Sequence, residues 1–275
     1  MPLKTLEKKT IQALIKPRAA ASHKGDHGHA LIIAGSKGKM GACVISARAC
    51  LRSGVGLLTV NIPVDERFIL QTAIPEAMVM LRDEEKTDLN NFASIGIGPG
   101  LGTSKTSIKL VKSILNYNQP VVWDADALNI FAAEKTLLKK LKKDSILTPH
   151  PKEFDRLFGP HKTEEQRRKK AMEMANKYNI IIVLKGPITK ICCHGETVLN
   201  TTGNSGLAKG GSGDALTGMI TSFLAQGYPP LTATKIAVYL HGLAADIALA
   251  DQSKESMLIT DVIEQLGHAF KKTMK

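Results

Sequence analysis

A glycine-dense run ending in a carboxylate is the stretch of this sequence best suited to chemistry: Gly203-Asn204-Ser205-Gly206-Leu207-Ala208-Lys209-Gly210-Gly211-Ser212-Gly213-Asp214. Five glycines in twelve residues make a poor strand and a poor helix, because glycine loses the most backbone entropy on ordering. The spacing of Leu216, Met219, Ile220 and Phe223 predicts a helix that opens near Gly213. Such a helix start offers unpaired N–H groups and a positive dipole end, so the loop reads as a cradle for a phosphoryl group. A carboxylate beside that cradle makes sense if it takes the proton of a hydroxyl attacking phosphorus, which makes Asp214 a candidate catalytic base. The plainer alternative is an aspartate that complements the helix dipole. No Gly-x-x-x-x-Gly-Lys-Ser/Thr pattern occurs, so the run is not a Walker loop.

Other residues of reactive type fall where apolar runs end. Asp124 and Asp126 leave a strand in a position where carboxylates bind Mg²⁺ through water, or form an Asx turn. His150 and Glu153 lie three apart at a helix start framed by Pro149 and Pro151; they suit a cation or a substrate, or else a glutamate cap with a surface histidine. Lys185, before Gly186, ends an apolar strand, either to reach a nucleotide phosphate or merely to be solvated. Gly98-Pro99-Gly100-Leu101-Gly102 fails as a dinucleotide fingerprint, since its spacing is wrong and a proline stands where an amide is needed. It suggests a ligand pressed against backbone, or a tight strand-to-helix turn. His23, His27 and His29 form a conceivable metal set, but no cysteine or carboxylate accompanies them in a known pattern.

The elements that must hold these residues alternate in type. Residues 1–22 contain one amphipathic segment, and strand-like runs follow at 29–34, 56–61, 77–81, 94–98, 120–124, 145–148, 180–185, 188–193 and 196–200. Helical patterns occupy about 41–52, 104–117, 126–142, 151–158, 163–178, 213–226, 231–250 and 261–272. Apolar strands alternating with helices imply an α/β fold with a mostly parallel central sheet covered on both faces. Ala42, Ser46, Ala47 and Ala49 give the first long helix a small-residue side that lets it lie close to the sheet. In such folds ligands gather beyond the carboxyl ends of the strands. Gly35-Ser36, Gly98–Gly102, Asp124–Asp126, Thr148–Glu153, Lys185-Gly186 and the loop ending at Asp214 all fall there.

Composition narrows the class. With 43% hydrophobic and 23% charged residues over 275 positions, one soluble α/β domain is the economical reading. No apolar run reaches membrane-spanning length and the N-terminal residues lack a signal-peptide core, so a cytoplasmic protein is expected. Cys43, Cys50, Cys192 and Cys193 have neither metal-ligand nor redox spacing and read as small buried hydrophobes. The formal charge of +12 invites a nucleic-acid reading, but Arg167-Arg168-Lys169-Lys170 falls on an amphipathic helix over Ala171, Met174, Ala175 and Tyr178. Aromatics make up 4% and are not interleaved with basic runs, so stacking platforms are missing and no nucleic-acid partner is expected.

Taken in order, His23-Lys24-Gly25-x-x-Gly28, Ala34-Gly35-Ser36, Gly98-Pro-Gly-Leu-Gly102, Asp124-Ala-Asp126, Leu147-Thr-Pro-His-Pro-Lys-Glu-Phe154, Leu184-Lys-Gly186 and Thr202–Asp214 resemble the ADP-dependent NAD(P)H-hydrate dehydratases of the ribokinase-like superfamily, over about residues 20–270. The resemblance implies a ribokinase-like fold and a single dehydratase domain. It also implies dehydration of the S epimer of NADH or NADPH hydrate while ADP goes to AMP and phosphate, with Mg²⁺ as cofactor and no assignment of metal ligands. Carried over by motif, Ala42, Gly100 and His150 contact the hydrate, with Gly102 as a second candidate in the same turn. Lys185, Gly186, Pro187, Ile188, Thr189 and Gly213 contact the adenylate, and Asp214 meets the reacting group. Ser205, Leu207 and Lys209 stand where the family more often carries Pro, Met and Thr. The resemblance further implies a homotetramer. Many relatives carry an N-terminal epimerase domain that this chain is too short to hold, so a separate NAD(P)H-hydrate epimerase is expected as metabolic partner. The alternatives are an ATP-dependent small-molecule alcohol kinase of the same superfamily and a non-catalytic nucleotide sensor.

Overall fold

The computed structural model describes residues 3–82 and 88–275; residues 1, 2 and 83–87, the first two of which open the expected N-terminal segment, lie outside the described residues. The apolar runs pair into one sheet made of β1 (Lys4–Thr5), β2 (His29–Ile33), β3 (Leu57–Pro63), β4 (Met78–Arg82), β5 (Ser94–Ile97), β6 (Val121–Trp123), β7 (Ile146–Leu147), β8 (Ile181–Leu184), β9 (Thr189–Cys193) and β10 (Glu196–Asn200). Their order across the sheet is β1-β10-β9-β8-β7-β6-β5-β2-β3-β4. β2 through β8 run parallel, whereas β9 pairs antiparallel with both β8 and β10. His194 and Gly195, with φ of 47° and 78°, make the two-residue turn between β9 and β10, where positive φ at both positions matches strand twist.

The chain winds outward from β2 in one direction and from β5 in the other. Strand order therefore reverses between these two, which in such folds is where ligands bind beyond the carboxyl ends of the strands.

Helices cover both faces because the strands are apolar on both sides. Val122 faces a core shared with α8 (Ser212–Ala225) and α9 (Pro230–Ala248), while Val121 and Trp123 face one shared with α4 (Lys105–Ile114), α5 (Ala125–Ala133), α6 (Pro151–Phe158) and α7 (Glu164–Tyr178). A third cluster joins α2 (Met40–Arg52) to β2, β3 and α3 (Arg67–Ala73). α1 (Lys8–Leu14), α10 (Ile259–Glu264) and α11 (Leu266–Met274) complete the α8–α9 face.

Close approach, which only small residues permit, fixes α8. A methyl on Gly96 of β5 would fall 2.2 Å from Thr221 Oγ1, and one on Gly218 would fall 2.0 Å from the Ser46 carbonyl oxygen of α2. The small residues of α2 thus serve contact with α8 as well as with the sheet. Two expectations differ in detail, and one helix was not expected. The helix expected over 126–142 stops at Ala133 and resumes as a tighter 3₁₀ turn at Lys135–Lys140, and the last helix divides between α10 and α11. α3 gave no helical signal because Phe68 and Ile69 face solvent, leaving Leu70 as its buried anchor. Among the described residues no helix is long and apolar enough to cross a membrane.

Candidate active site

The carboxyl end of β6 delivers Asp124 and that of β8 delivers Lys185, two strands apart, and the two side chains meet. Lys185 Nζ lies 3.0 Å from Asp124 Oδ1, which also accepts from Thr148 Oγ1 at 2.7 Å, while Thr217 Oγ1 of α8 donates to Oδ2 at 3.0 Å. Burial alone would raise the Asp124 pKa, but the Lys185 ammonium and these hydrogen bonds outweigh it and hold the carboxyl below its usual range. Burial likewise opposes the charge on Lys185, yet Asp124 and then Glu153, 4.0 Å away, keep the ammonium above the usual lysine value. The pair is charged and spent on the fold, so Asp124 is not a free ligand for a hydrated cation.

Lys185 also touches the head of α8. A methyl on Gly213 would lie 2.8 Å from its Nζ and 3.4 Å from Asp124 Oδ2, so the ion pair and the first amides of α8 meet at one corner. The expected nucleotide residues Lys185 and Gly213 are thereby brought together. Gly186, Pro187 and Ile188 form the exposed connection that leads to Thr189 at the start of β9. The glycine run itself is anchored from α9: Asp246 accepts from the Gly203 amide at 2.8 Å and from Asn204 Nδ2 at 3.2 Å. Gly211 adopts φ 94° to turn the chain into α8 at Ser212, one residue before the expected start.

Asp214 stands in the first turn of α8, partly buried, with no hydrogen bond to its carboxylate among the described residues. Burial first, and the Asp124 charge second, push its pKa up to about 7, against the pull of Lys185. It is the titratable carboxyl of this corner poised to gain or lose a proton near neutrality. Its backbone is fixed from α2, since Ser46 Oγ donates to the Asp214 carbonyl at 2.9 Å as well as to the Ala42 carbonyl at 2.9 Å.

Of the expected substrate residues, Gly100 and Ala42 meet where the turn after β5 packs on α2, whereas His150 lies beside Glu153 on the Lys185 side. Gly100 has φ 59°, and a methyl there would meet the Lys39 carbonyl at 2.7 Å and Ala42 Cβ at 3.1 Å, so the turn after β5 rests on the start of α2. Ser36 Oγ donates to the Gly100 carbonyl at 2.7 Å, and the Gly35 amide donates to Pro99 O at 2.8 Å. Gly102 has a different role. Its amide donates to Asp126 Oδ2 at 2.7 Å, so Asp126 holds the turn, with Lys39 Nζ 3.8 Å away and Asn129 on its other oxygen.

His150 caps α6. Its Nδ1 accepts from the Lys152 and Glu153 amides at 3.1 and 3.3 Å, and Glu153 Oε2 accepts from the His150 amide at 2.8 Å. With Nδ1 an acceptor, the proton of the neutral ring sits on Nε2. Burial lowers its pKa, with Glu153 acting the other way. The histidine metal set is not assembled, because His23 faces Asp26, His27 bonds Ser22 and His29 bonds Thr59.

Sequence reasoning missed Thr217, Ser46 and His241. The first two carry a signal, as hydroxyls on otherwise apolar helices. His241 of α9 is buried with Nε2 unpartnered, and burial together with the Lys185 charge pushes it down to about 4, so the imidazole is neutral.

Among the described residues, no set of three His, Cys, Asp or Glu donors converges at this corner. The corner fits Mg²⁺ in the mode where nucleotide phosphates and water supply most ligands.

Known proteins resemble the chain over most of its length. A family model described as NAD(P)H-hydrate dehydratase matches residues 30–268. The chain is 36% identical over 270 residues to the ADP-dependent (S)-NAD(P)H-hydrate dehydratase of Bacillus subtilis, covering 95% of this chain and 96% of that one. It is 36% identical over 257 residues to the bifunctional NAD(P)H-hydrate repair enzyme Nnr of Escherichia coli, covering 92% of this chain and 49% of that one. The chain thus spans about half the length of the bifunctional relatives it matches. The crystal structure of an ADP/ATP-dependent NAD(P)H-hydrate dehydratase from Bacillus subtilis, co-crystallised with ATP/Mg²⁺, superposes with a TM-score of 0.89 at 33% identity, covering 99% of each chain. A ribokinase-like superfamily protein from Enterococcus faecalis superposes with a TM-score of 0.87 at 32% identity, covering 98% of this chain and 96% of that one.

Proposed function

The chain belongs to the NAD(P)H-hydrate dehydratase family, and on that premise we propose that it dehydrates the S epimer of NADH or NADPH hydrate, consuming ADP and releasing AMP and phosphate. The observation that carries the reading is the position of Asp214. It stands in the first turn of the helix into which the glycine run leads, its pKa is raised to about 7 by burial and the Asp124 charge against the pull of Lys185, and its backbone carbonyl is held by Ser46 of α2.

Water added to the nicotinamide ring leaves a hydroxyl at C6, and hydroxide is a poor leaving group. In the proposed reaction Asp214 takes the proton of that hydroxyl as its oxygen attacks the β-phosphorus of ADP, and the bond from phosphorus to the bridging oxygen of AMP breaks. The C6 oxygen then leaves as phosphate, pushed by the ring nitrogen lone pair, and loss of the C5 proton restores the dihydronicotinamide. The Gly210–Gly213 amides and Lys185 stabilise the phosphoryl group in flight, each donor contributing about 10²–10³ in rate. Gly100, Ala42 and His150 Nε2 hold the hydrate, with Gly102 in the same turn. The segment Lys185–Thr189 and Gly213 hold the adenylate. Mg²⁺, when bound with the nucleotide, neutralises phosphate charge at this corner. The same reading includes a homotetramer, a separate NAD(P)H-hydrate epimerase as metabolic partner and a cytoplasmic location.

The test is recovery of reduced-nicotinamide absorbance from NADH hydrate with purified protein and Mg²⁺, adding ADP or ATP in turn. Recovery with ADP that stops at the S-epimer fraction is expected. Absence of recovery with either nucleotide, from folded protein that binds AMP, would overturn the reading in favour of a small-molecule kinase or a nucleotide sensor.

A further inference from the structure

We infer that Asp144, Cys193 and His194 form a three-ligand site for a thiophilic divalent transition metal, Zn²⁺ foremost, at the end of the sheet opposite Asp214. A carboxylate oxygen, a sulfur and an imidazole nitrogen from these residues all lie within 4.8 Å of one another, and they are the one such grouping among the described residues. Their place in the fold follows from the antiparallel run of β9: Cys192 pairs with Ile182 and Ile181 with Ile146, so Cys193 ends β9 beside the amino ends of β8 and β7. The active corner lies at the carboxyl ends of the same strands. This inference is independent of the proposed dehydratase activity.

The donors are held by backbone rather than by chance rotamers. The Asp144 amide donates to Asn179 O at 2.7 Å, and the Gly195 amide donates to Asn176 Oδ1 at 2.9 Å, tying both segments to the end of α7. Asp144 and His194 both take left-handed conformations, with φ of 62° and 47°. His194 Nε2 approaches Asp144 Oδ1 to 2.9 Å, yet that oxygen is buried and receives no aligned hydrogen bond. A buried carboxylate oxygen with an unused lone pair, facing an imidazole and a thiol, has the donor chemistry of a zinc ligand set. The sulfur selects against Mg²⁺ and Ca²⁺, which take oxygen ligands.

The chemistry balances simply. Metal binding releases the Cys193 thiol proton to solvent, the thiolate and the Asp144 carboxylate bind as anions, and neutral His194 binds through Nε2. Water fills the open fourth position. Burial and then the Asp144 charge push the Cys193 thiol up to about 12, so the metal must supply the deprotonation. Once bound, the ion ties the β9–β10 turn to the segment that enters β7. No local pattern marks this set, because its members stand at 144 and at 193 and 194, far apart in the chain.

Tag-free protein stripped with a chelator and titrated with Co²⁺ tests the site. One Co²⁺ per chain is expected, with a thiolate-to-cobalt charge-transfer band that Zn²⁺ abolishes. Cys193→Ser and His194→Asn should lose the band, and Cys192→Ser should retain it; asparagine is chosen because it tolerates the left-handed turn. Cooperative thermal unfolding of each variant reports that it is folded. No charge-transfer band in the wild-type protein, or an undiminished band in folded His194→Asn, would overturn the inference.

Discussion

Lys185 Nζ lies 3.0 Å from Asp124 Oδ1 and against Gly213, where an added methyl would sit 2.8 Å away. One ammonium thus neutralises a carboxylate at the end of β6, closes the end of β8 and charges the head of α8. Removing it strands a buried charge. Lys185→Met is expected to destabilise the fold by about 3–5 kcal/mol in urea unfolding, and Lys185→Met with Asp124→Asn to recover most of that loss. Neither variant should bind ADP in calorimetry, because the Lys185 ammonium is gone from both.

The same pair sets a pH window for stability. Asp124 is held below its ordinary 3.8, so its contribution is present above that value and is lost as pH falls through the folded pKa. Lys185 is held above its ordinary 10.5, so its contribution is present below that value and is lost as pH rises through the folded pKa. Urea midpoints should therefore show Asp124→Asn losing more stability near neutrality than in strong acid.

Asp214 works in the opposite sense. Its pKa is raised to about 7 from 3.8, so the folded state holds a proton that the unfolded chain has lost, and its charging costs stability as pH rises between these values. A base must be deprotonated, so kcat/KM should rise about tenfold per pH unit below about 7 and level above it. Asp214→Asn is expected to remove that limb, lower kcat by about 10²–10⁴ or more and keep AMP affinity. Near wild-type turnover in this variant would refute the assignment.

His150 caps α6 and is proposed to contact the substrate, and two substitutions separate the two roles. His150→Ala should cost about 1 kcal/mol through the lost cap, whereas His150→Asn keeps an acceptor for the helix amides. Both should raise the KM for hydrate several-fold if Nε2 contacts substrate. A normal KM in His150→Asn would reduce the residue to a cap.

Gly100 and Gly102 are told apart by what surrounds them. At Gly100 a methyl meets the Lys39 carbonyl at 2.7 Å and Ala42 at 3.1 Å, whereas at Gly102 it finds atoms no nearer than 3.9 Å. Both residues have positive φ, so each alanine costs about 1–2 kcal/mol in thermal unfolding. Steady-state kinetics should then show a raised hydrate KM for Gly100→Ala and a smaller change for Gly102→Ala, with AMP affinity unaltered in both.

The local sequence determined what short-range physics can determine. Apolar strands alternating with helical periodicity fix a covered, mostly parallel sheet, because a strand buried on both faces must be apolar throughout. The glycine run and the periodic residues after it place a helix start at Ser212, within one residue of expectation, since only an unencumbered backbone can present its amides there. Asp214, Lys185 and His150 were legible as candidates because reactive side chains fall at strand ends and helix starts, and Gly100 because closely spaced glycines let a ligand approach the backbone.

Tertiary structure decided what those residues are free to do. Asp124 and Asp126 look alike in sequence, yet one is spent on Lys185 and the other on the Gly102 amide, which leaves Asp214 as the carboxyl open to a proton. Thr217 and Ser46 acquire their roles only because α8 lies close enough to β6 and α2 for their hydroxyls to reach. The same holds for Asp144, Cys193 and His194, which the antiparallel turn of β9 brings to one point. Charge pairing and close approach depend on distances across the sheet, and a linear pattern of residue types contains no such distances.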